Sequence, residues 1–274
     1  MKLSFVKPRP ELQPYVETIW VFESSTGLPA ADSSVAAPTG GSKLTFPFNN
    51  SLVSVANGKA TTSEPERLYF VGNRDNSTLL RSTPSKTGCI GVEFWPHGAF
   101  PILGIPMGDV SNILWRADVL FGGWAREVQE VLANLQGVRQ RVTFLQDQLM
   151  PMLLKNHREN GLVRYCVETL KSTDGRISVR ELEERTGYSR RYLSLLFKEH
   201  VGLSPKVLAG IFRFQRFYRK WAQGQSLDLL KNDLYEYYYD QSHFAKEFRK
   251  MTGHTPGEYI HEVSNEFGRR LCLR

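Results

Sequence analysis

Two short segments of the chain are rich in side chains that donate hydrogen bonds, and each follows a residue that can begin a helix. They are Arg190, Arg191, Tyr192, Ser194 and Lys198 after Ser189, and Gln241, Ser242, His243, Lys246 and Arg249 after Asp240. Basic, amide and hydroxyl groups of this kind contact the phosphates and base edges of nucleic acids. They also cover ordinary solvated helices, so the surrounding pattern must decide between the two interpretations.

The two segments are copies of an internal repeat with a spacing of 51 residues. The aligned pairs are Ser189 with Asp240, Leu193 with Phe244, Phe197 with Phe248, Gly202 with Gly253 and Pro205 with Pro256. Each copy has a residue that caps a helix start, an apolar face, a glycine that can end the helix, and a Ser-Pro or Thr-Pro pair that begins the next one. The repeat therefore predicts two equivalent supersecondary units.

A shorter helix is expected before the first copy, because Ser178 and Glu181 have the spacing of a capping box and Gly187 can end the helix. Helix, turn and helix form a helix-turn-helix unit, whose second helix can enter the major groove. A long helix over 205–222 would connect the units. Its basic residues could contact phosphates or form a solvated face; they are Arg213, Arg216, Arg219 and Lys220.

Over about 178–260 the chain resembles the AraC/XylS family of transcription regulators. The motifs that carry the resemblance are Gly187-Tyr188-Ser189, Phe197-Lys198, Gly202-Leu203-Ser204-Pro205 and Tyr238-Tyr239-Asp240-Gln241-Ser242-His243-Phe244. The resemblance implies sequence-specific binding of double-stranded DNA, with both groups of donor residues facing DNA. The resemblance does not decide between activation and repression of transcription. We expect activation.

Four residues depart from the family pattern. Glu183 and Asp233 replace small residues where helices approach closely, Tyr237 replaces the glycine of the second turn, and Leu195 replaces an arginine that is common there. We predict that the second turn is rebuilt, with Tyr237 rotated outward, and that the second recognition helix is kept. The departures leave an alternative function open, a module for interaction or dimerisation that retains a degenerate helix-turn-helix fold without binding DNA.

The first 95 residues read as short strands separated by Gly, Asn and Pro. The segments are Ile19–Phe22, Lys43–Phe46, Leu52–Val55, Leu68–Val71 and Ile90–Phe94. Pro38-Thr39-Gly40, Phe94–Ala99 and Leu103–Pro106 resemble sensor domains of such regulators, which implies a degenerate cupin-like barrel with helices. The expected fold is α+β, with a sensor or dimerisation domain over 1–157 and an all-α DNA-binding domain over 158–274.

Helices are expected after Pro106, where Val142, Leu145, Leu149 and Met152 repeat at helical spacing. This stripe could close a homodimer through 124–154 or pack onto the chain's own barrel. Trp20, Trp95 and Trp115 could likewise line a pocket for a small-molecule effector or fill the core. The sequence does not identify the effector.

Charge and cysteine content restrict the possible functions. Residues 161–274 hold 20 Lys and Arg against 14 Asp and Glu, whereas residues 1–160 hold 15 against 14, which favours an anionic partner for the C-terminal part. Cys89, Cys166 and Cys272 are far apart and are expected to be buried or incidental thiols. We expect no cofactor, metal or catalytic residue, no membrane span, and a cytoplasmic location.

Overall fold

The computed structural model describes residues 1–28, 34–156, 158–222 and 237–259, with strands first and helices after them. The strands are β1 (Lys2–Val6), β2 (Val16–Ser24), β3 (Ser34–Ala36), β4 (Lys43–Phe48), β5 (Leu52–Ala56), β6 (Lys59–Ser63), β7 (Tyr69–Val71), β8 (Thr78–Arg81), β9 (Thr87–Phe94) and β10 (Leu114–Arg116). The five strands predicted from the sequence are all present.

The helices lie between β9 and the end of the described chain. They are α1 (Ala99–Leu103), α2 (Met107–Val110), α3 (Ala117–Asn134), α4 (Val138–Asn156), α5 (Gly161–Ser172), α6 (Val179–Thr186), α7 (Arg190–His200), α8 (Pro205–Ala222), α9 (Gln241–Thr252) and α10 (Pro256–Glu258). The change from strands to helices that the sequence pattern indicates is therefore correct.

The strands form two antiparallel sheets rather than the predicted closed barrel. One sheet has the order β1-β2-β9-β4-β7-β10 and the other has the order β3-β8-β5-β6. No strand of one sheet pairs with a strand of the other within the described residues. The expectation of a barrel was wrong because alternating apolar residues specify that a strand has a buried face, but they do not specify which strands form hydrogen bonds at the sheet edges.

Strand β9 is the most buried element of the larger sheet, because it lies between β2 and β4 and all eight of its residues are buried. Its glycines make room for aromatic rings from neighbouring strands. A Cβ atom at Gly91 would lie 2.1 Å from the Trp20 ring. Glycine is therefore required here by close packing of a side chain on the backbone.

The helices α1, α3 and α4 pack on the larger sheet and form one core with it. Val142, Leu145 and Leu149 of α4 are buried in this core, and Met152 is half-buried beside it. The stripe that could have closed a dimer thus packs within the chain. Val131 of α3 and Leu154 of α4 are apolar side chains of this helix pair that remain exposed.

A second core joins the helices α5 to α9 and includes Tyr259, which follows α10. It contains Phe197 and Phe248, which are equivalent in the internal repeat, and both are almost fully buried. Val35 and Ala37, which belong to the N-terminal part of the chain, are buried in this same core. The β-sheet part and the C-terminal helices therefore share packing contacts rather than being joined only by the chain.

Candidate nucleic-acid interface

The repeat predicted from the sequence has the expected local structure in both copies. Ser189 accepts a hydrogen bond from the Tyr192 amide at the start of α7, and Asp240 accepts one from the His243 amide at the start of α9. Gly202 and Gly253 follow the two helices with φ angles of 81° and 83°, a conformation that favours glycine. The helix starts and ends were thus encoded locally.

The first unit consists of α6 and α7. Ser178 and Glu181 form the predicted capping box at the start of α6, and Gly187 ends that helix in the left-handed conformation. Helix α7 buries Leu193 and Phe197 against the core. The five predicted donor residues of this helix are all exposed: Arg190, Arg191, Tyr192, Ser194 and Lys198.

Glu183, which departs from the family pattern, lies at the surface of the first unit instead of obstructing the helix crossing. Its carboxylate accepts a hydrogen bond from the Arg190 backbone amide at 3.3 Å and forms an ion pair with the Arg190 side chain at 3.2 Å. A carboxylate near the N-terminus of α7 also interacts favourably with the helix dipole. Arg190 is therefore partly neutralised within the chain, whereas no ion pair to Arg191 is seen in the described residues.

The second recognition helix, α9, buries Phe244 and Phe248 and turns its donor residues outward. Gln241, Ser242, Lys246 and Arg249 are exposed, and His243 is half-buried with its Nε2 atom 3.7 Å from the Glu247 carboxylate. The prediction that this helix is retained is confirmed. Its exposed face offers fewer guanidinium groups than that of α7.

The turn before α9 only partly matches the prediction. Tyr237 is helical, and its phenol ring is half-buried against the core, 5.3 Å from the Arg176 guanidinium carbon, so the expectation that it points outward was wrong. Tyr238 is buried, which raises the pKa of its phenol, whereas Tyr239 is 91% exposed. Asp233 and Tyr235 lie outside the described residues.

Helix α8 connects the units as predicted, with Ile211, Phe214 and Tyr218 on its buried face. Its basic side chains are engaged within the chain. Arg213 donates to the Gly175 carbonyl and to Glu247, and Arg216 and Arg219 lie 3.7 Å and 4.0 Å from Asp174. These contacts favour a structural role for this basic face over phosphate binding.

One loop of the N-terminal part contacts the ends of both recognition helices. The fully buried Asn73 donates hydrogen bonds to the carbonyls of Gly40 and of Val201, which follows α7. Two residues later, the Asp75 carboxylate forms an ion pair with Lys250 of α9 at 3.1 Å. This loop therefore connects the two helix-turn-helix units.

A second contact lies at the end of α7. The Ser111 hydroxyl donates to the Gly202 carbonyl at 2.8 Å. Helix α2 packs so closely on α7 that a Cβ atom at Gly108 would lie 2.9 Å from the Lys198 side chain. The C-terminal end of the first recognition helix is thus held by the N-terminal part of the chain, and its N-terminal end is open.

An apolar cavity of about 140 Å³ lies between the two sheets. Its lining includes Trp20, Leu52, Val71, Leu80, Cys89 and Leu114. Arg74 and Lys43 also line it; Lys43 pairs with the buried Glu93, whereas the buried Nε atom of Arg74 has no hydrogen-bond partner. Burial of the Arg74 guanidinium lowers its pKa, so an acceptor placed beside it would relieve a desolvation cost.

The three tryptophans have different roles. Trp20 lines the cavity, Trp115 packs on the first core, and the Trp95 ring lies 3.5 Å from the Lys171 ammonium of α5.

Cys89 and Cys166 are buried, as predicted, and burial raises the pKa of their thiols to about 12 and about 11. Cys272 lies outside the described residues.

Neither a metal site nor a membrane span is seen in the part of the chain that the structure describes. No three His, Cys, Asp or Glu side chains of these residues could hold a metal ion together. His97 is buried, and this burial lowers the pKa of its imidazole. None of the described helices is both long and apolar enough to cross a membrane.

Sequence reasoning did not find Asn73, Asp75, Ser111 or Arg74. Polar residues in loops are common, and the distant partners of Asn73, Asp75 and Ser111 lie between 33 and 175 positions away, while the Arg74 Nε atom has none. No periodicity or motif could have indicated these contacts. They depend on which loops of the sheet part face the C-terminal helices.

Comparisons with known proteins agree with this geometry. Residues 182–262 match the family model described as "Helix-turn-helix domain", and residues 4–114 match a "Domain of unknown function (DUF6597)". The "F1 operon positive regulatory protein" of Yersinia pestis is 32% identical over 109 residues, which are 39% of this chain. The matched region spans 35% of that relative's own length.

The solved structures that align with this chain have low sequence identity to it. ToxT from Vibrio cholerae is 12% identical with a TM-score of 0.49, over 90% of this chain and 98% of that one. The "AraC-like transcriptional activator CuxR" is 16% identical with a TM-score of 0.27, over 84% and 90%. The assignment of the helix-turn-helix domain rests on the sequence match over 182–262 and on the internal repeat. Residues 182–262 therefore form a helix-turn-helix domain that is similar to those of the AraC family of transcription regulators.

Proposed function

We propose that this protein is a sequence-specific DNA-binding regulator that activates transcription in the cytoplasm. The observation that carries the proposal is the presence of two repeat-related helices, α7 and α9, whose outward faces are lined by hydrogen-bond donors. The proposed contacts are Arg190, Arg191, Tyr192, Ser194, Lys198, Gln241, Ser242, His243, Lys246 and Arg249. Residues 1–157 would form the sensing domain and residues 158–274 the DNA-binding domain.

The two helices would occupy successive major grooves, about 34 Å apart along the duplex. Phosphate contacts supply most of the affinity, and they release counterions from DNA. Base contacts from the middle of each helix supply selectivity. The net positive charge of residues 161–274 supports this division of roles.

Titration of the full chain with genomic DNA fragments at several salt concentrations tests the proposal. A double substitution of Arg191 and Lys246 to Ala should lower the affinity and reduce the dependence on salt. The matched control replaces Lys59 and Lys86, which are exposed on the sheet part, and it should leave both unchanged. If no fragment shows salt-dependent binding, the alternative of an interaction module without DNA binding is correct.

We further propose that the cavity between the sheets binds a small-molecule effector. Its apolar walls and the unpartnered Arg74 Nε atom fit a compact apolar molecule that carries a hydrogen-bond acceptor. An engineered apolar cavity of about 150 Å³ in another protein binds benzene, which indicates the size of ligand that the cavity holds without expanding.

The walls of this cavity support a coupling between effector and DNA. Gly72, Arg74 and Asn76 line the cavity, while the intervening Asn73 and Asp75 contact the two helix-turn-helix units. A ligand that moves Arg74 would therefore displace the contacts to both recognition helices. Binding at the cavity and binding to DNA would then be linked reciprocally.

Residues 36–39 form a second connection between the cavity and the C-terminal helices. They line the cavity, and the Pro38 carbonyl accepts a hydrogen bond from Gln215 of α8 at 2.7 Å. Ala37 is buried in the core of the C-terminal helices. A ligand in the cavity would thus contact two segments that pack on the DNA-binding part.

Native mass spectrometry of freshly purified protein tests the effector proposal. Wild-type protein should retain a small molecule, and Arg74→Met should lose it while keeping its fold. Arg67→Met is the matched control, because the Arg67 side chain is 40% exposed and lies outside the cavity lining. Equal retention by wild type and Arg74→Met would show that Arg74 does not hold the effector, and a wild type without a retained molecule would contradict the proposal.

We also propose a homodimer through 124–154, formed by the outward face of α3 and α4. Val131 and Leu154 are exposed there, with 41% and 77% of their surfaces accessible. Replacing both by Ser should shift the mass measured by native mass spectrometry from dimer to monomer. A monomeric wild-type protein at micromolar concentration would contradict this part of the proposal.

A further inference from the structure

Leu195 is an exposed leucine in the middle of the first recognition helix. It is 59% exposed, although its neighbours Leu193 and Phe197 on the same helix are buried. Exposed single apolar residues are common on protein surfaces and usually need no explanation. Leu195 differs because of the position that it has on this helix.

Leu195 lies at the centre of the face of α7 that points away from the core. Arg191 precedes it by four positions and Lys198 follows it by three, so the three side chains are neighbours along one stripe of the helix. All three are exposed. The buried residues Leu193 and Phe197 lie on the opposite side. The apolar side chain is therefore flanked by two cations on the surface that we propose faces DNA.

Tyr192 extends this apolar surface at one side. It precedes Leu195 by three positions, and its ring stacks on that of Tyr188 with 5.2 Å between the ring centres. Both tyrosines are nearly half exposed. The flanking cations make a lipid-like or apolar protein partner a poorer fit than a polyanion that carries an apolar group.

Double-stranded DNA has one such group in the major groove, the 5-methyl group of thymine. We propose that Leu195 contacts a thymine methyl group and so selects an A·T pair in the part of the operator bound by α7, an inference that rests on the proposed function. Arg191 and Lys198 would fix the helix on either side of this base. Leu195 would thus determine specificity without forming a hydrogen bond.

The experiment removes the methyl group from DNA without changing base pairing. A preferred site is first selected from random duplexes with the full chain, and each thymine in the half bound by α7 is then replaced by deoxyuridine. One replacement should weaken binding by wild-type protein about fourfold, as expected for the loss of one buried methyl group. Leu195→Ala should bind the two duplexes equally.

Val119→Ala is the control, since Val119 is an exposed apolar residue at the start of α3, outside the recognition helices and outside the proposed dimer surface over 124–154, and it should keep the fourfold difference. In a second selection, Leu195→Arg should change the preferred base at the same position from thymine to guanine, because arginine pairs with the guanine edge. Circular dichroism of both Leu195 variants should match that of wild type.

The outcomes separate this inference from the proposed function. If wild-type protein binds a selected site but is indifferent to every deoxyuridine, the role of Leu195 is refuted and DNA binding stands. The same holds if Leu195→Ala keeps the fourfold difference. If no site can be selected, the proposed function itself fails. A loss of the difference in Leu195→Ala together with a guanine preference in Leu195→Arg supports the inference.

Discussion

The two recognition helices share a scaffold but differ in how the rest of the molecule holds them. Asn73 anchors the end of α7 by a hydrogen bond to the Val201 carbonyl, and this asparagine is fully buried. The ion pair between Asp75 and Lys250 anchors the end of α9, and the two side chains are 28% and 48% exposed. A buried hydrogen bond is costly to break, whereas an exposed ion pair contributes little.

The exposed faces of α7 and α9 also differ in the side chains that they present. Helix α7 presents Arg191 beside Leu195, while α9 presents Gln241 and Lys246 in a more polar setting. An internal repeat therefore does not imply that the two units recognise the same bases. We therefore expect the first unit to be held more firmly than the second and to contribute more to the selection of bases.

The largest expected effect concerns the core that both units share. Phe197→Ala and Phe248→Ala should each lower the free energy of unfolding by about 3–5 kcal/mol, because each removes a buried ring and leaves a cavity. Both residues belong to one continuous core, so unfolding in urea should remain a single transition. Two separate transitions in either variant would show that the units are energetically independent.

The next effect compares the outward faces of the two helices. Arg191→Ala should weaken binding to the preferred site by about 1–3 kcal/mol, with a smaller loss on random DNA, since a guanidinium can pair with a base edge. Gln241→Ala and Lys246→Ala should each cost less. All three variants are compared in one fluorescence anisotropy titration. A larger loss of DNA affinity in Gln241→Ala or Lys246→Ala would show that the second unit makes the main base contacts.

A third prediction compares the two anchors. Asn73→Ala should reduce stability by about 1–3 kcal/mol, because the buried carbonyls of Gly40 and Val201 lose their donor. Asp75→Ala should cost about 0–1 kcal/mol, and this smaller loss should vanish at high salt. Thermal unfolding at low and high ionic strength measures both. Equal losses would mean that the second unit is held as firmly as the first.

The smallest expected effect is at Glu183. Glu183→Gln removes the ion pair with the exposed Arg190, so stability should change by less than about 1 kcal/mol. DNA affinity should rise slightly at low salt, since a negative charge beside the proposed interface is lost and Arg190 is released. Glu184→Gln is the control, because Glu184 pairs with Arg180 on the outer side of α6. Weaker DNA binding by Glu183→Gln would show that Glu183 is needed to position Arg190.

Much of the C-terminal part could be predicted from the sequence, because its signals are local. Ser178, Ser189 and Asp240 cap helices within three residues of themselves, and Gly187, Gly202 and Gly253 end helices through their own backbone angles. Such interactions depend on neighbours in the chain. The prediction failed at Tyr237, whose ring packs on the core, because that contact depends on a distant segment.

The sequence by itself determined the local features on which the proposed interface depends: the repeat, its helix caps and stops, and the donor residues of α7 and α9. Only the tertiary structure decided that the strands form two sheets instead of a barrel, and that a cavity lies between them. It also placed Arg74 in the cavity wall and Asn73 and Asp75 against the two units. The physical reason is that hydrogen bonds within a helix turn join residues a few positions apart, whereas sheet edges, cavities and contacts between distant segments depend on how whole elements pack.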